Sequence, residues 1–179
     1  MTSSRYTPTA IALHWLIAAM LVMSLSAGLY MTGLKFSPEK LRLYNWHKWA
    51  GVTIFMLVLF RAAWRLFHAP PAFPASIPAW HRRMATGTHY LLYALMIAIP
   101  LSGWLMSSAK GFQTVYFGQF AIPDLLDKNT DLGELLEQVH RLLNYTLIAI
   151  AVAHAAAGLK HHFIDRDDVL RRILPGRRS

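Results

Sequence analysis

The chain has 179 residues, enough for one domain, of which 55% are hydrophobic and only 15% are charged. Because soluble domains carry about 25% charged residues, this composition predicts a membrane protein. The lack of cysteine excludes disulfides, cysteine-bound zinc, iron–sulfur clusters and covalent cofactor attachment through C-x-x-C-H. The formal net charge of +9 sits between apolar runs rather than along one face, which favours membrane topology over nucleic-acid binding.

Four apolar runs follow one another along the chain, each near the ~20 residues needed to cross a bilayer. They predict an all-α membrane protein, a bundle of four transmembrane helices that forms a single domain over residues 1–179. The expected spans are approximately 9–29, 44–66, 86–107 and 137–159.

The basic residues predict the orientation of the bundle. An even number of spans places both termini on one side, and 11 of the 18 lysines and arginines fall there against 7 on the other side. Cytoplasmic segments carry the excess of positive charge, so we expect both termini in the cytoplasm of a bacterial cell, with the chain passing repeatedly through the inner membrane.

The last apolar run contains two histidines, His140 and His154, which are 14 residues apart. In a helix this separation is about 21 Å along the axis and close to four whole turns. Both imidazoles therefore face nearly the same side at two depths. They cannot share one metal ion, but each can belong to a separate centre.

Three further histidines match these depths. His47 lies near the outer end of the second span, at the level of His140. His14 and His89 lie near the cytoplasmic ends of the first and third spans, at the level of His154. Depth alone leaves open which of them pairs with His154.

Paired imidazoles on facing helices suit the axial coordination of haem iron, and two side-chain ligands favour electron transfer over oxygen chemistry. The alternative is that the histidines are hydrogen-bonded in a bundle core. A proton or metal transporter is a further alternative, but it would more often need acidic residues within the spans. Arg61 and Arg65, one turn apart, could pair with haem propionates or reach the cytoplasmic headgroups.

Several motifs resemble the prokaryotic cytochrome b-561 family, small four-helix di-haem proteins of the bacterial inner membrane. They include ALHWL at His14, NWHKWAG at His47, VHRLLNY at His140 and HAAAGLK from His154. The resemblance implies two non-covalent haem b groups, one bound by His14 and His154 and the other by His47 and His140. It makes His89 a non-ligand that contacts a propionate or lines a quinone pocket.

The resemblance also implies an oxidoreductase that passes single electrons from an outer donor, such as superoxide, to membrane ubiquinone. The outer loop around Lys35, Lys40, Arg42 and Lys48 would attract a small anion, or it binds lipid phosphate. Two other functions remain open: a cytochrome b anchor subunit with a dehydrogenase or hydrogenase as redox partner, and a non-haem transporter. Expected partners are membrane lipid, ubiquinone and the anionic donor, without nucleic acid.

Overall fold

The computed structural model describes residues 5–74 and 77–176, and this part of the chain contains four long helices. Helix α1 spans Pro8–Gly33, α2 spans Pro38–Phe67, α3 spans Ala79–Ala109 and α4 spans Thr130–Phe163. Each helix is long and apolar enough to cross a membrane, and each contains one of the expected spans. The prediction of four helices that are long and apolar enough to cross a membrane is therefore confirmed.

Local sequence explains where three of the helices begin. Thr7 and Ser37 precede a proline at the first helical position, and their side chains accept hydrogen bonds from the backbone of the first turn. Asn129 caps α4 in the same way. These side chains satisfy backbone N–H groups that have no partner inside the helix, and proline tolerates the first position because its missing N–H is not needed there.

The helices pack in sequence order, with α1 against α2, α2 against α3 and α3 against α4. A small apolar core at Ile17, Ile54 and Val58 joins the first two helices, and Tyr93 and Ile97 of α3 pack against it. Many other large apolar side chains are exposed, as expected for helices that face lipid.

A short antiparallel hairpin follows α3 at one end of the bundle. Its strands are β1 (Thr114–Tyr116) and β2 (Phe120–Ile122). Gly118, in the turn, has a φ of +70°, which glycine adopts without steric cost. The indole N–H of Trp49 in α2 donates to the Val115 carbonyl at 2.7 Å, so the hairpin is fixed to the bundle. We call this end of the bundle the hairpin end.

The opposite end, which we call the terminal end, is closed by the segment after α4. The Tyr6 N–H donates to the Arg172 carbonyl at 3.3 Å, and the Trp15 indole donates to the Ile173 carbonyl at 2.8 Å. The Arg172 guanidinium donates to the Ala72 carbonyl at 2.6 Å, in the proline-rich segment between α2 and α3. The last described residues therefore tie α1 and this segment together.

Candidate functional site

The four helices bring four histidines together as two facing pairs. His47 of α2 and His140 of α4 form the hairpin-end pair, with ring centres 6.3 Å apart and ring planes 87° apart. His14 of α1 and His154 of α4 form the terminal-end pair, with ring centres 6.4 Å apart and planes 76° apart. Because His140 and His154 lie on one continuous helix, the two pairs are stacked along α4, about 21 Å apart at 1.5 Å per residue.

Both pairs cross a wide interface. Among the described residues, the helix pairs in extensive contact are α1–α2, α2–α3 and α3–α4. The histidine pairs instead join α4 to α1 and to α2. Their side chains reach across between helices whose backbones do not approach closely, and this separation gives room for a flat group between the rings.

The rings of the hairpin-end pair are held by neighbouring helices. His47 Nδ1 lies 3.1 Å from the Ser24 carbonyl oxygen and 3.2 Å from the Ser24 hydroxyl. His140 Nδ1 lies 3.1 Å from the Ile99 carbonyl oxygen and 3.0 Å from the Ser102 hydroxyl. A carbonyl oxygen can only accept, so each Nδ1 carries the hydrogen. The lone pair on each Nε2 is therefore free to bind a metal ion.

Two glycines allow this close approach. A β-carbon at Gly28 of α1 would lie 3.3 Å from His47 Cε1, and one at Gly103 of α3 would lie 3.1 Å from His140 Cε1. The helix that supplies the serine thus also supplies a glycine beside the same ring. Serine and glycine together form a polar notch that receives each imidazole.

The terminal-end pair has different neighbours. Over the described residues, neither the His14 ring nor the His154 ring takes part in a hydrogen bond. The His89 ring lies against His154, with centres 5.3 Å apart and planes 72° apart. Arg61 lies beside this pair, and its guanidinium donates to the Ala10 carbonyl at 2.5 Å, which ties α2 to α1.

The structure also places the other residues singled out in the sequence. The His89 and Arg65 side chains line a cavity at the terminal end together with Thr86 and the proline-rich segment. The Arg65 guanidinium lies 5.9 Å from the centre of the Tyr90 ring. His89 therefore faces both the terminal-end pair and the cavity.

The ring distances distinguish His14 from His89 as a partner of His154. Two imidazoles on opposite sides of one metal ion, each bound at about 2.0–2.1 Å, have ring centres roughly 6.2–6.5 Å apart. The two pairs, at 6.3 and 6.4 Å, fit this arrangement. The contact of His89 with His154 at 5.3 Å is too short for it.

Sequence reasoning missed the residues of the notches. Ser24, Gly28, Ser102 and Gly103 are small residues inside apolar runs, where they look like ordinary packing positions. A usable signal was present, since a serine within a transmembrane span is a polar group that needs a partner. The partner could not be identified without knowing which helix faces which.

Fold and site together define a class of protein: a four-helix membrane protein with two stacked pairs of facing histidines. The family model for prokaryotic cytochrome b561 matches residues 5–176. The chain belongs to the prokaryotic cytochrome b561 family, as its motifs indicated. Membership implies binding of b-type haem and electron transfer in a bacterial membrane.

Three relatives support this assignment over nearly the whole chain. The sequence is 33% identical to cytochrome b561 homolog 2 of Escherichia coli K12, over 97% of this chain and 93% of the relative. It is 29% identical to cytochrome b561 homolog 1 of the same organism, over 98% and 99%. It is 28% identical to the probable superoxide oxidase CybB of Yersinia pestis, over 98% of both chains.

Proposed function

We propose that the protein is an oxidoreductase that binds two haem b groups and moves single electrons from superoxide, on the outer side of the bacterial inner membrane, to ubiquinone. His47 and His140 bind one haem, and His14 and His154 bind the other. The observation that carries this proposal is the presence of two facing imidazole pairs, each with the ring separation that one metal ion requires. When bound, each haem iron alternates between the ferric and ferrous states and so carries one electron at a time.

In this proposal the four histidines are the protein ligands of the haem iron. Histidines bound to the iron from both pair members would leave no iron position for oxygen, which would restrict the centre to electron transfer. The Nδ1 hydrogen bonds of His47 and His140 keep Nε2 available as the ligand atom. The two histidine pairs are stacked along α4, so two haems held by them would lie at two depths of the membrane, and electrons would cross most of its thickness.

The hairpin end has the charge that an anionic donor requires. Lys35 and Arg42 are exposed there, whereas Lys48 is engaged with the Phe112 carbonyl at 2.8 Å. Clustered positive charge raises the local concentration of a small anion and its association rate. Similarity to the probable superoxide oxidase CybB supports superoxide as that anion.

The terminal end offers the acceptor side. His89 contacts His154 and lines the neighbouring cavity with Arg65. An imidazole in this position can donate a hydrogen bond or a proton to a quinone oxygen. With both termini in the cytoplasm, as the distribution of lysine and arginine indicates, this proton would come from the cytoplasmic side.

The test starts with the purified protein in detergent. A reduced-minus-oxidised spectrum, with haem and protein measured on one sample, should give two low-spin haem b groups per chain. A superoxide pulse should reduce them, and added ubiquinone should reoxidise them. Reduction no faster than spontaneous superoxide dismutation would contradict the donor, and a stoichiometric dehydrogenase that copurifies would favour the anchor-subunit function instead.

A charge-reversal pair tests the entry side separately. Lys35→Glu combined with Arg42→Glu should slow reduction by superoxide about tenfold or more at low salt, while haem content and reduction by dithionite stay unchanged. Arg83→Glu, an exposed change at the terminal end, is the matched control and should leave the rate as in the wild type.

A further inference from the structure

The two imidazole rings of the hairpin-end pair have equivalent hydrogen-bonding partners, which come from two different helices. In each, a buried serine hydroxyl and a backbone carbonyl lie within hydrogen-bond distance of the same Nδ1 atom. Ser24 is 8% exposed and Ser102 is 6% exposed, so water does not compete freely for these bonds. The same chemistry arises twice although α1 and α3 have unrelated sequences at these positions.

The hydroxyl of Ser102 has a defined direction. It donates its own hydrogen to the Ile99 carbonyl at 2.8 Å, so its lone pairs face His140 Nδ1 and can only accept. Ser24 supplies both acceptors for His47 by itself, through its carbonyl and its hydroxyl. In both cases the ring must donate from Nδ1, because the carbonyl oxygen beside it can only accept. At His140 the opposite tautomer would leave both oxygens facing a nitrogen lone pair.

We propose that Ser24 and Ser102 are positioning residues whose hydroxyls reinforce the Nδ1–H form that the backbone carbonyls impose on the hairpin-end histidines, and that they lower the reduction potential of the haem bound there below that of the terminal-end haem. This inference rests on the proposed function, since it requires a haem at each pair. Neither serine touches the iron. Each acts through the histidine next to it.

The direction follows from the hydrogen bonds. An imidazole that donates from Nδ1 to an oxygen becomes a more basic ligand through Nε2, and a more basic ligand favours the ferric over the ferrous state. The terminal-end pair lacks such bonds among the described residues. The positively charged guanidinium of Arg61 lies beside this pair. It disfavours the ferric state of a haem bound there, because the ferric iron carries one more positive charge than the ferrous iron. Electrons that enter at the hairpin end therefore move to the haem of higher potential.

The test is a redox titration of Ser24→Ala, Ser102→Ala and the double variant, monitored in the visible spectrum. Each single variant should raise the midpoint potential of one haem by the equivalent of about threefold to tenfold in the ferric-to-ferrous ratio, or about 28–59 mV for a one-electron couple. The double variant should shift it further, and the other haem should not move. Ser26→Ala, an exposed position on α1, is the matched control.

Electron paramagnetic resonance of the ferric protein gives a second signal, because ring orientation sets the anisotropy of a low-spin haem. In the alanine variants, the anisotropy of the signal should change for one haem only. Threonine variants restore the hydroxyl, so if an alanine variant loses haem, retention by the corresponding threonine variant still supports the proposal. Equal loss in both, or wild-type potentials and spectra in the alanine variants, would overturn it. A wild-type protein with fewer than two haems would instead contradict the proposed function.

Discussion

The two histidine pairs have nearly the same ring separation but different support. At the hairpin end, both rings are bonded through Nδ1 to a serine and a carbonyl of a neighbouring helix. At the terminal end, the His154 ring has the edge of His89 against it and His14 has the ring of Trp15, but in the described part of the chain neither ring is hydrogen-bonded.

Under the proposed function, the difference corresponds to two ways of building one kind of centre. At the hairpin end, each Nδ1–H is shared between a hydroxyl and a carbonyl oxygen. This bonding fixes the rotation of the ring about its Cβ–Cγ bond, so the protein itself orients the hairpin-end rings. Ring-edge contacts restrict the terminal-end rings less, which leaves them more able to adjust. The first arrangement suits a centre with a fixed donor side, and the second suits a centre next to a site where a substrate binds and leaves.

The largest expected effect comes from removing the ligands themselves. His47→Ala or His140→Ala should remove the hairpin-end haem, and His14→Ala or His154→Ala should remove the terminal-end haem. Each variant should retain about half of the wild-type haem, because one lost imidazole leaves the iron with a single axial ligand. The haem-to-protein ratio of the purified variants measures this.

The control for these four variants is His89→Ala. The His89 ring lies against His154, but the two rings are too close to bind one metal ion between them. The variant should keep both haems. Full haem in all four ligand variants would contradict the pairing, and loss of a haem in His89→Ala would show that His89 rather than His14 completes the terminal-end centre.

The next effect tests the notches without removing a ligand. Gly103→Ala places a β-carbon 3.1 Å from His140 Cε1, and Gly28→Ala places one 3.3 Å from His47 Cε1. The rings cannot move away without breaking their Nδ1 hydrogen bonds, so we expect partial loss of the hairpin-end haem, greater for Gly103→Ala. Each lost bond costs about 0.5–1.5 kcal/mol.

Gly87→Ala is the matched control, since a β-carbon at this position has nothing within 4 Å. Gly87 lies inside α3, and the variant should keep two haems. Equal haem loss at all three glycines would mean that the helices, rather than the imidazoles, are sensitive to the change.

These glycines also mark the limit of prediction from sequence. The spans could be predicted because bilayer thickness fixes the length of an apolar helix. The depths of His140 and His154 followed from helical rise alone. Neither rule says which helices face each other, so the choice between His14 and His89 required the family resemblance.

The remaining features depend on tertiary contacts. Ser24 and Ser102 acquire a role only when His47 and His140 lie opposite their backbones. The hairpin was not predicted either, because its strands are three residues each, too short for alternation to be recognised. The contact between the hairpin and Trp49 could not be deduced from the sequence either.

A smaller effect should separate the two centres electrostatically. Arg61→Gln removes a positive charge beside the terminal-end pair and should lower the midpoint potential of that haem. We expect a change of about 1 kcal/mol, or roughly fivefold in the ferric-to-ferrous ratio, for one charge in a partly polarisable surrounding. The hairpin-end haem should not respond, and neither haem should respond to Arg83→Gln at an exposed position. A shift of both haems would show that Arg61 acts through the fold.

The smallest expected effect comes from a change at the end of α4, outside both histidine pairs. The Asp165 carboxylate accepts two hydrogen bonds from Lys160 Nζ at 2.7 Å each. That hydrogen bonding, with the charges of Lys160, His161 and His81, lowers the pKa of Asp165 below its usual 3.8. A carboxyl whose pKa is lowered by folding contributes stability above its unfolded value and loses it as the pH falls through the lowered pKa.

Asp165→Asn should therefore unfold slightly earlier than the wild type at pH 7, by less than about 2 °C because the pair is exposed. The two proteins should converge as the pH falls below the lowered pKa. Asp168→Asn, whose carboxylate lies 3.6 Å from Arg171, is the control. Thermal unfolding followed at several pH values measures the difference. A difference in unfolding temperature that persists unchanged in acid would contradict its origin in the charge of Asp165. A change in haem content would show that the end of α4 supports the terminal-end pair.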